Sequence, residues 1–385
     1  MQRGGTSRLS LADHLLQALV VLGAVALVAG LAYGIYSGLA AHNIGVSFDF
    51  LWQKSGLHLT EGLTLDWTDG VALVPYESGD SNLQALLLGL YNTLKVALVG
   101  IILSTMLGLV VGAGRVSRNW AVSRFSLAFV ELIRNTPLLI QLFFWYFAVV
   151  LRLPPMREAA HLYGVIASQQ GIYFPSPQSA WPGGEWLVLA SLILAGAIVL
   201  VTRGRPARRG ILLGALIAAW IATMAWKGSP LQLDMPVASR FRASGGLAFT
   251  PEFAAILLAL VVYTAAFIAE VVRGSIEAVS GRQWMAAHAL GLKRGQAMRY
   301  VILPQAFRML IPPLVNQYLN LAKNTSLAIA IGFPDLFNIY GTVANQTGRS
   351  MEGILFVMVA YLLINWLISL FMNMYNRRLL ARGQR

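Results

Sequence analysis

Long apolar runs separated by short charged segments dominate this chain. Eight of them approach or exceed the length a helix needs to cross a bilayer core, at roughly 15–37, 83–113, 125–151, 186–202, 211–226, 251–272, 301–331 and 353–376. The fourth and fifth are the shortest, and "RGRPARRG" (Arg203–Gly210) between them predicts a hairpin. The seventh run contains Pro312–Pro313, which predicts an interrupted, bent helix with freed backbone carbonyls. Beyond the prolines, Asn316, Asn320 and Lys323 recur at i, i+4 and i+7, and Asn324, Thr325 and Ser326 widen that polar stripe. A stripe this polar does not face lipid.

Between the sixth and seventh runs lies "QWMAAHALGLKRG" (Gln283–Gly295), too short to cross a membrane. Ser280 and Gln283 have the spacing of a capping box, Trp284, Ala287 and Leu290 recur at helical spacing, and Gly291 suits a left-handed helix terminator. A helix of about ten residues would be roughly 15 Å long, half the thickness of a bilayer core. The residues alone leave two roles open. Small alanines beside one tryptophan suit close docking on another protein, and an amphipathic helix can also rest on lipid headgroups.

Composition agrees with the pattern. The chain is 57% hydrophobic and 12% charged, whereas soluble domains carry about a quarter charged residues. The expectation is an all-α polytopic membrane protein of about eight transmembrane helices. A formal charge of +13 could suit nucleic acid, but the cations cluster in loops on alternate sides of the apolar runs, without a basic stripe interleaved with aromatics. Nucleic acid is therefore excluded as a partner and membrane lipid expected. The cation-rich side holds Arg3, Arg8, Arg115, Arg118, Arg124, the Arg203–Arg209 cluster, Lys293, Arg294, Arg299 and Arg377 onward, which puts both termini inside. The first run follows Arg3 and Arg8 as a signal peptide would. Its length and the lack of a small-residue cleavage site predict a retained span instead.

The outer segment Ala41–Asn82 carries Asp49, Glu61, Asp66, Asp69, Glu77 and Asp80 with Trp52 and Trp67, and is expected to fold against the outer membrane surface. The outer segment 152–185, with "FPSPQSAWPGG", reads as irregular. The organisation expected is a first span and outer loop (1–82), a permease-like membrane domain (83–376) with an insertion at 152–250, and an inner tail (377–385).

Enzymatic chemistry finds no support. None of Lys54, Lys95, Lys227, Lys293 and Lys323 follows a glycine, so a P-loop is missing from the sequence. There is no cysteine, the five histidines lack metal-ligand spacing, and no Ser-His-Asp context is recognisable. The charges inside the apolar runs are Lys95, Glu131, Arg134, Glu270, Arg308 and Lys323. Glu131 and Arg134 share a helical face and can pair, as can Glu270 and Arg273. Structural pairing is the reading for Glu270, Arg273 and Arg308. For Glu131, Arg134, Asn316, Asn320, Lys323, Thr325 and Ser326 a subunit interface and a translocation path both fit, with Lys323 or Arg134 attracting a carboxylate.

"AAHALGLKRGQAMRYVILPQAF" (Ala286–Phe307) resembles the cytoplasmic loop of permease subunits of bacterial ABC importers, E-A-A, three residues, G, then I-x-L-P. Ala286, Ala287, Gly291, Ile302, Leu303 and Pro304 match it. "ELIRNTPLLIQLFFWYF" (Glu131–Phe147) resembles the polar amino-acid branch, and "NLAKNTSLAIAIGFPDLFNIYGTVANQTGR" (Asn320–Arg349) the general L-amino-acid branch. The resemblance implies a type I importer core in a bacterial inner membrane, with a coupling helix engaging an ATPase through Trp284, Met285, Ala286, Ala287, Gly291 and Leu292. It also implies partners: ATPase subunits that use ATP and Mg, a second permease subunit, and a periplasmic amino-acid-binding protein. No cofactor is expected in this chain. Met285 stands where the family has an acidic residue, which removes a charge-assisted contact. A self-sufficient secondary transporter or channel routed through Glu131, Arg134 and Lys323 is the alternative. The absence of internal repeats counts against it.

Overall fold

The computed structural model describes residues 11–41, 47–59, 61–67, 72–202, 205–239 and 243–382. Of the residues singled out above, Arg3, Arg8, Asp69, Arg203 and Arg385 lie outside them.

Helix α1 (Leu11–Ala41) leads through a short outer segment with the hairpin β1 (Leu63–Asp66) and β2 (Ala72–Pro75) into α2 (Asn82–Arg115). Next come α3 (Trp120–Arg134) and α4 (Leu138–Phe143), the latter prolonged by a π turn over 144–149 and a 3-10 turn over 150–152. The insertion holds β3 (Ala160–Leu162), β4 (Val165–Ser168), β5 (Gly171–Phe174), β6 (Ser176–Ser179), α5 (Gly184–Val201), α6 (Pro206–Lys227), β7 (Leu231–Asp234), β8 (Val237–Ala238), β9 (Ala243–Ser244) and β10 (Leu247–Phe249). The chain then runs through α7 (Pro251–Glu277), α8 (Gly281–Ala289), α9 (Arg294–Ala297), α10 (Leu303–Asn324), α11 (Leu336–Thr347) and α12 (Ser350–Arg382).

The helix ends follow local chemistry. Ser81 and Gln84 form a reciprocal capping box at the start of α2. Thr250 caps α7 by accepting from the Phe253 N–H at 3.1 Å, with Pro251 at the first helical position. Asp335 caps α11 by accepting from the Asn338 N–H at 2.9 Å, and Gly348 ends that helix at φ 70°.

The α2–α7 pair is the centre of the bundle. Gly100, Ser104, Gly108 and Gly112 make a buried stripe of small residues at i, i+4 spacing. A Cβ on Gly108 would meet Ile268 at 2.6 Å, and one on Gly112 would meet Val272 at 2.7 Å. Small residues let two membrane helices approach until backbone meets side chain, and this drives packing where water supplies no hydrophobic force. Phe253, Ile256 and Leu260 of α7 continue the core against Val96, Leu142, Leu321 and Phe333.

Among the described residues, four helices are long and apolar enough to cross a membrane: Asn82–Arg115, Pro206–Lys227, Pro251–Glu277 and the Ser350–Met374 part of α12. Two bent pairs raise the number to six, Trp120–Arg134 with Leu138–Arg152 (103°) and Arg294–Ile331 with Leu336–Thr347 (52°). The remaining expected spans appear as shorter apolar helices, Leu15–Leu31 and Trp186–Val199. The hairpin of α5 and α6 forms as expected.

Four expectations change. The third run is a helix broken by 103°, because Asn135–Pro137 stop α3. Pro312 and Pro313 do not interrupt α10, which stays helical from Leu303 to Asn324; the irregularities flank it, a π turn at Met298–Ile302 and a 3-10 turn at Thr325–Ile331. The outer insertion is not irregular. β10-β5-β4-β3 form an antiparallel sheet, and β6 pairs with β7 and β8 with β9. The Pro- and Gly-rich composition had masked alternations such as Val165–Ser168, whose Ile166 and Ser168 face inward. The outer segment packs on α2 and α11 rather than only on a membrane surface, with Phe50, Leu57 and Tyr76 in one cluster with Leu86, Leu88 and Leu336. There Tyr76 hydrogen-bonds Ser55, and burial raises its phenol above the ordinary range.

Candidate functional site

The short helix α8 is held at three points. The Ser280 hydroxyl accepts from the Arg282 N–H at 3.3 Å, while Gln283 does not close the expected capping box; its carbonyl accepts from the Gln305 amide at 3.3 Å. Trp284 packs with Val279, Ile302 and Ala306, and Ala287 is fully buried. Arg294 lies 5.4 Å over the Trp284 ring, and His288 stacks on it. At the end, the Gly291 N–H donates to His288 O at 2.9 Å and the Leu292 N–H to Ala287 O at 3.1 Å, a Schellman closure that needs Gly291 at φ 74°.

The expected stripe is not buried as one face. Trp284 and Ala287 face inward, but Leu290, about 120° around the helix from Trp284, is 80% exposed, as Met285 is at 64%. Ala286 is exposed and Leu292 half-buried. α8 therefore offers a small apolar edge of Met285, Ala286 and Leu290 on a helix fixed by its other face.

The polar stripe of α10 divides in two. Gln317, Asn320, Leu321 and Asn324 line a cavity of about 370 Å³ with Tyr263, Thr264 and Phe267 of α7. Lys323 and Ser326 instead line a mostly apolar groove of about 440 Å³ with Phe337 of α11 and Val357, Met358, Tyr361, Leu362 and Asn365 of α12. Asn316 is exposed one turn before Asn320 and lines neither. Thr325 is buried; its hydroxyl donates to Ala322 O at 2.9 Å and lies 3.4 Å from the Tyr361 hydroxyl, which donates to Asp335 at 3.4 Å. Thr325 thus ties α10 to α12 and does not face a path. The division follows from α10 itself: at about 100° per residue Gln317, Asn320, Leu321 and Asn324 share one face, and Lys323 falls to the side of it toward α12.

Glu131 and Arg134 do not pair. Glu131 accepts from the Asn135 amide at 3.3 Å, and the Arg134 guanidinium lies 5.3 Å over the ring of Phe267, itself a lining residue of the cavity. Lys95 is a structural bolt: it meets Glu61 of the outer segment at 2.8 Å and lies 4.2 Å over Phe253, while Glu61 also accepts from the Thr250 hydroxyl. Glu270 pairs with Arg273 as expected, and further with Arg115 at 3.4 Å; Arg273 also meets Glu277. The sequence reading missed Tyr263, Thr264, Phe267 and Gln317. The signal was present in Tyr263 and Phe267, two aromatics at i, i+4 in an otherwise aliphatic run.

Membrane-length helices that wall a polar cavity, with a small apolar helix held out between two of them, are the architecture of an integral-membrane transport component. The family described as "Binding-protein-dependent transport system inner membrane component" matches residues 104–382, and the chain belongs to that family. It is 38% identical over 385 residues to YhdX of Escherichia coli (strain K12), named an amino-acid ABC transporter permease protein, covering 95% of this chain and 93% of that one. It is also 38% identical over 375 residues to the general L-amino acid transport system permease protein AapQ of Rhizobium johnstonii, covering 94% and 91%. A solved structure of an amino acid ABC transporter with histidines aligns over 76% of this chain and 94% of its own, at 21% identity and TM-score 0.47. The chain is an integral inner-membrane protein.

Proposed function

We propose that this chain is the permease subunit of an ATP-driven importer of L-amino acids. The observation that carries the reading is the pairing of α8, fixed on one face and apolar on the other, with relatives named as amino-acid permeases along nearly the whole chain. α8 would receive the motion of a separate ATPase that binds ATP and Mg. Met285 removes the family's carboxylate there, so docking in this subunit rests on shape. The exposed methionine offers a polarizable, adaptable side chain for that fit.

In this reading α1 and α5 complete eight crossings, both termini and α8 lie on the cytoplasmic side, and the β-rich insertion faces the periplasm. A periplasmic amino-acid-binding protein delivers substrate, and a second, related permease subunit completes the membrane pathway. The cavity between α7 and α10 lines the route, its amides from Gln317, Asn320 and Asn324 suited to an ammonium and Arg134 to a carboxylate.

The test is gentle purification from the native membrane followed by mass spectrometry of what remains bound. A P-loop ATPase and a second permease are expected. The chain alone, moving amino acids into liposomes without ATP, would overturn the reading in favour of a secondary transporter.

A further inference from the structure

The break between α3 and α4 is held by a side chain the transport path has not yet used. α3 ends at Arg134, and the chain turns through 103° before Leu138. At the break the Asn135 N–H donates to Glu131 O at 3.1 Å, the Thr136 N–H to Ile133 O at 3.3 Å and the Thr136 hydroxyl to Leu132 O at 2.8 Å, and Pro137 has no N–H to add. Gln141, in the first turn of α4, reaches back across the break, adding a second donor to Ile133 O and binding Thr136 O. Its amide nitrogen donates to Ile133 O at 2.8 Å and to Thr136 O at 2.9 Å. The side chain is 6% exposed, and its carbonyl oxygen is buried without a partner. An orphaned buried acceptor is costly, and reversing the amide would set oxygen against two carbonyls, so the two donated bonds determine its orientation.

The two clamped carbonyls stand on either side of Arg134 in the chain. Its guanidinium lies over Phe267, with no carboxylate in ion-pair distance among the described residues. A cation over a ring is attracted only while the last turn of α3 holds that position. We propose that Gln141 is a positioning residue of the transport path: by clamping Ile133 O and Thr136 O it holds Arg134 on Phe267, so that the cation meets the carboxylate of a passing amino acid in one orientation. This rests on the amino-acid importer reading. Without the clamp α4 no longer ties down the end of α3, Arg134 leaves the ring, and substrate crosses without a fixed partner.

The experiment uses the whole complex in liposomes with its binding protein, reading uptake of a radiolabelled mixture of L-amino acids alongside ATP hydrolysis. Gln141→Met keeps the length and removes both donors. It is expected to lower uptake per ATP about tenfold, as a misplaced contact group does, with ATP hydrolysis within about twofold of normal. Arg134→Ala is expected to give the same loss, and the double variant no further loss, because both changes remove one interaction. Normal uptake by Gln141→Met, or a double variant clearly below either single one, would overturn the proposal. If Gln141→Met does not assemble, Gln141→Asn carries the same comparison: its shorter amide cannot span both carbonyls, and its loss must again vanish in the Arg134→Ala background. A native complex that hydrolyses ATP yet moves no L-amino acid would instead sink the importer reading itself.

Discussion

Gly108 on α2 lies so close to Ile268 on α7 that a Cβ there would come within 2.6 Å of the Ile268 side chain. This approach, repeated one turn on at Gly112 and Val272, sets the distance between the two central helices.

Gly108→Val should force α2 and α7 apart. Overpacking of a tight contact costs about 1–3 kcal/mol. A lower thermal midpoint of the detergent-purified protein is expected, whereas the same change at Gly196, which has open space around it, should do little.

Gly291 separates backbone strain from docking. Its Cβ would meet nothing within 4 Å, so only φ 74° resists a side chain, at about 1–2 kcal/mol. Gly291→Ala and Gly291→Trp should both reach the membrane. In the assembled importer, Gly291→Trp should abolish ATP hydrolysis stimulated by loaded binding protein, and Gly291→Ala should only reduce it. Unchanged stimulation in both would remove α8 as the contact.

The divided stripe of α10 predicts different outcomes for two neighbours. Asn320→Leu fills the cavity with an apolar group and should reduce uptake strongly. Lys323→Ala, which empties a groove against α12, should reduce it less while leaving assembly intact. Equal uptake in both variants, measured in vesicles, would mean that the cavity does not line the route.

Glu270 joins Arg115 to Arg273 where α2 and α7 end. Glu270→Ala leaves Arg115, whose side chain is 14% exposed, without its carboxylate. A loss of about 1–3 kcal/mol is expected from such an unmet charged group. The thermal midpoint should fall, and the deficit should persist in high salt, because partly buried pairs are weakly screened.

The sequence made some of this legible and not the rest. The ends of α8 could be read from Ser280 and Gly291, yet which face its neighbours bury could not, so Leu290, at i+3 from Ala287, turned out exposed. Glu131 and Arg134 have the spacing of a pair, but Asn135 and Phe267 compete for them and win. The clamp by Gln141 was hidden because its partners are backbone carbonyls, which every sequence contains.

Apolar run length, cap residues and the placement of cations determined that this chain is a set of membrane helices with one short helix held outside. Those are sums over contiguous residues, since each helix satisfies its own backbone and moves its own side chains out of water. The tertiary structure alone decided that Lys95 meets Glu61 from the outer segment, that Arg134 lies on Phe267, and that Asn320 and Lys323 open onto different spaces. Such pairings depend on which faces meet and how closely, and the small residues of α2 set that approach, Gly108 and Gly112 against α7 and Gly100 against Leu321 of α10.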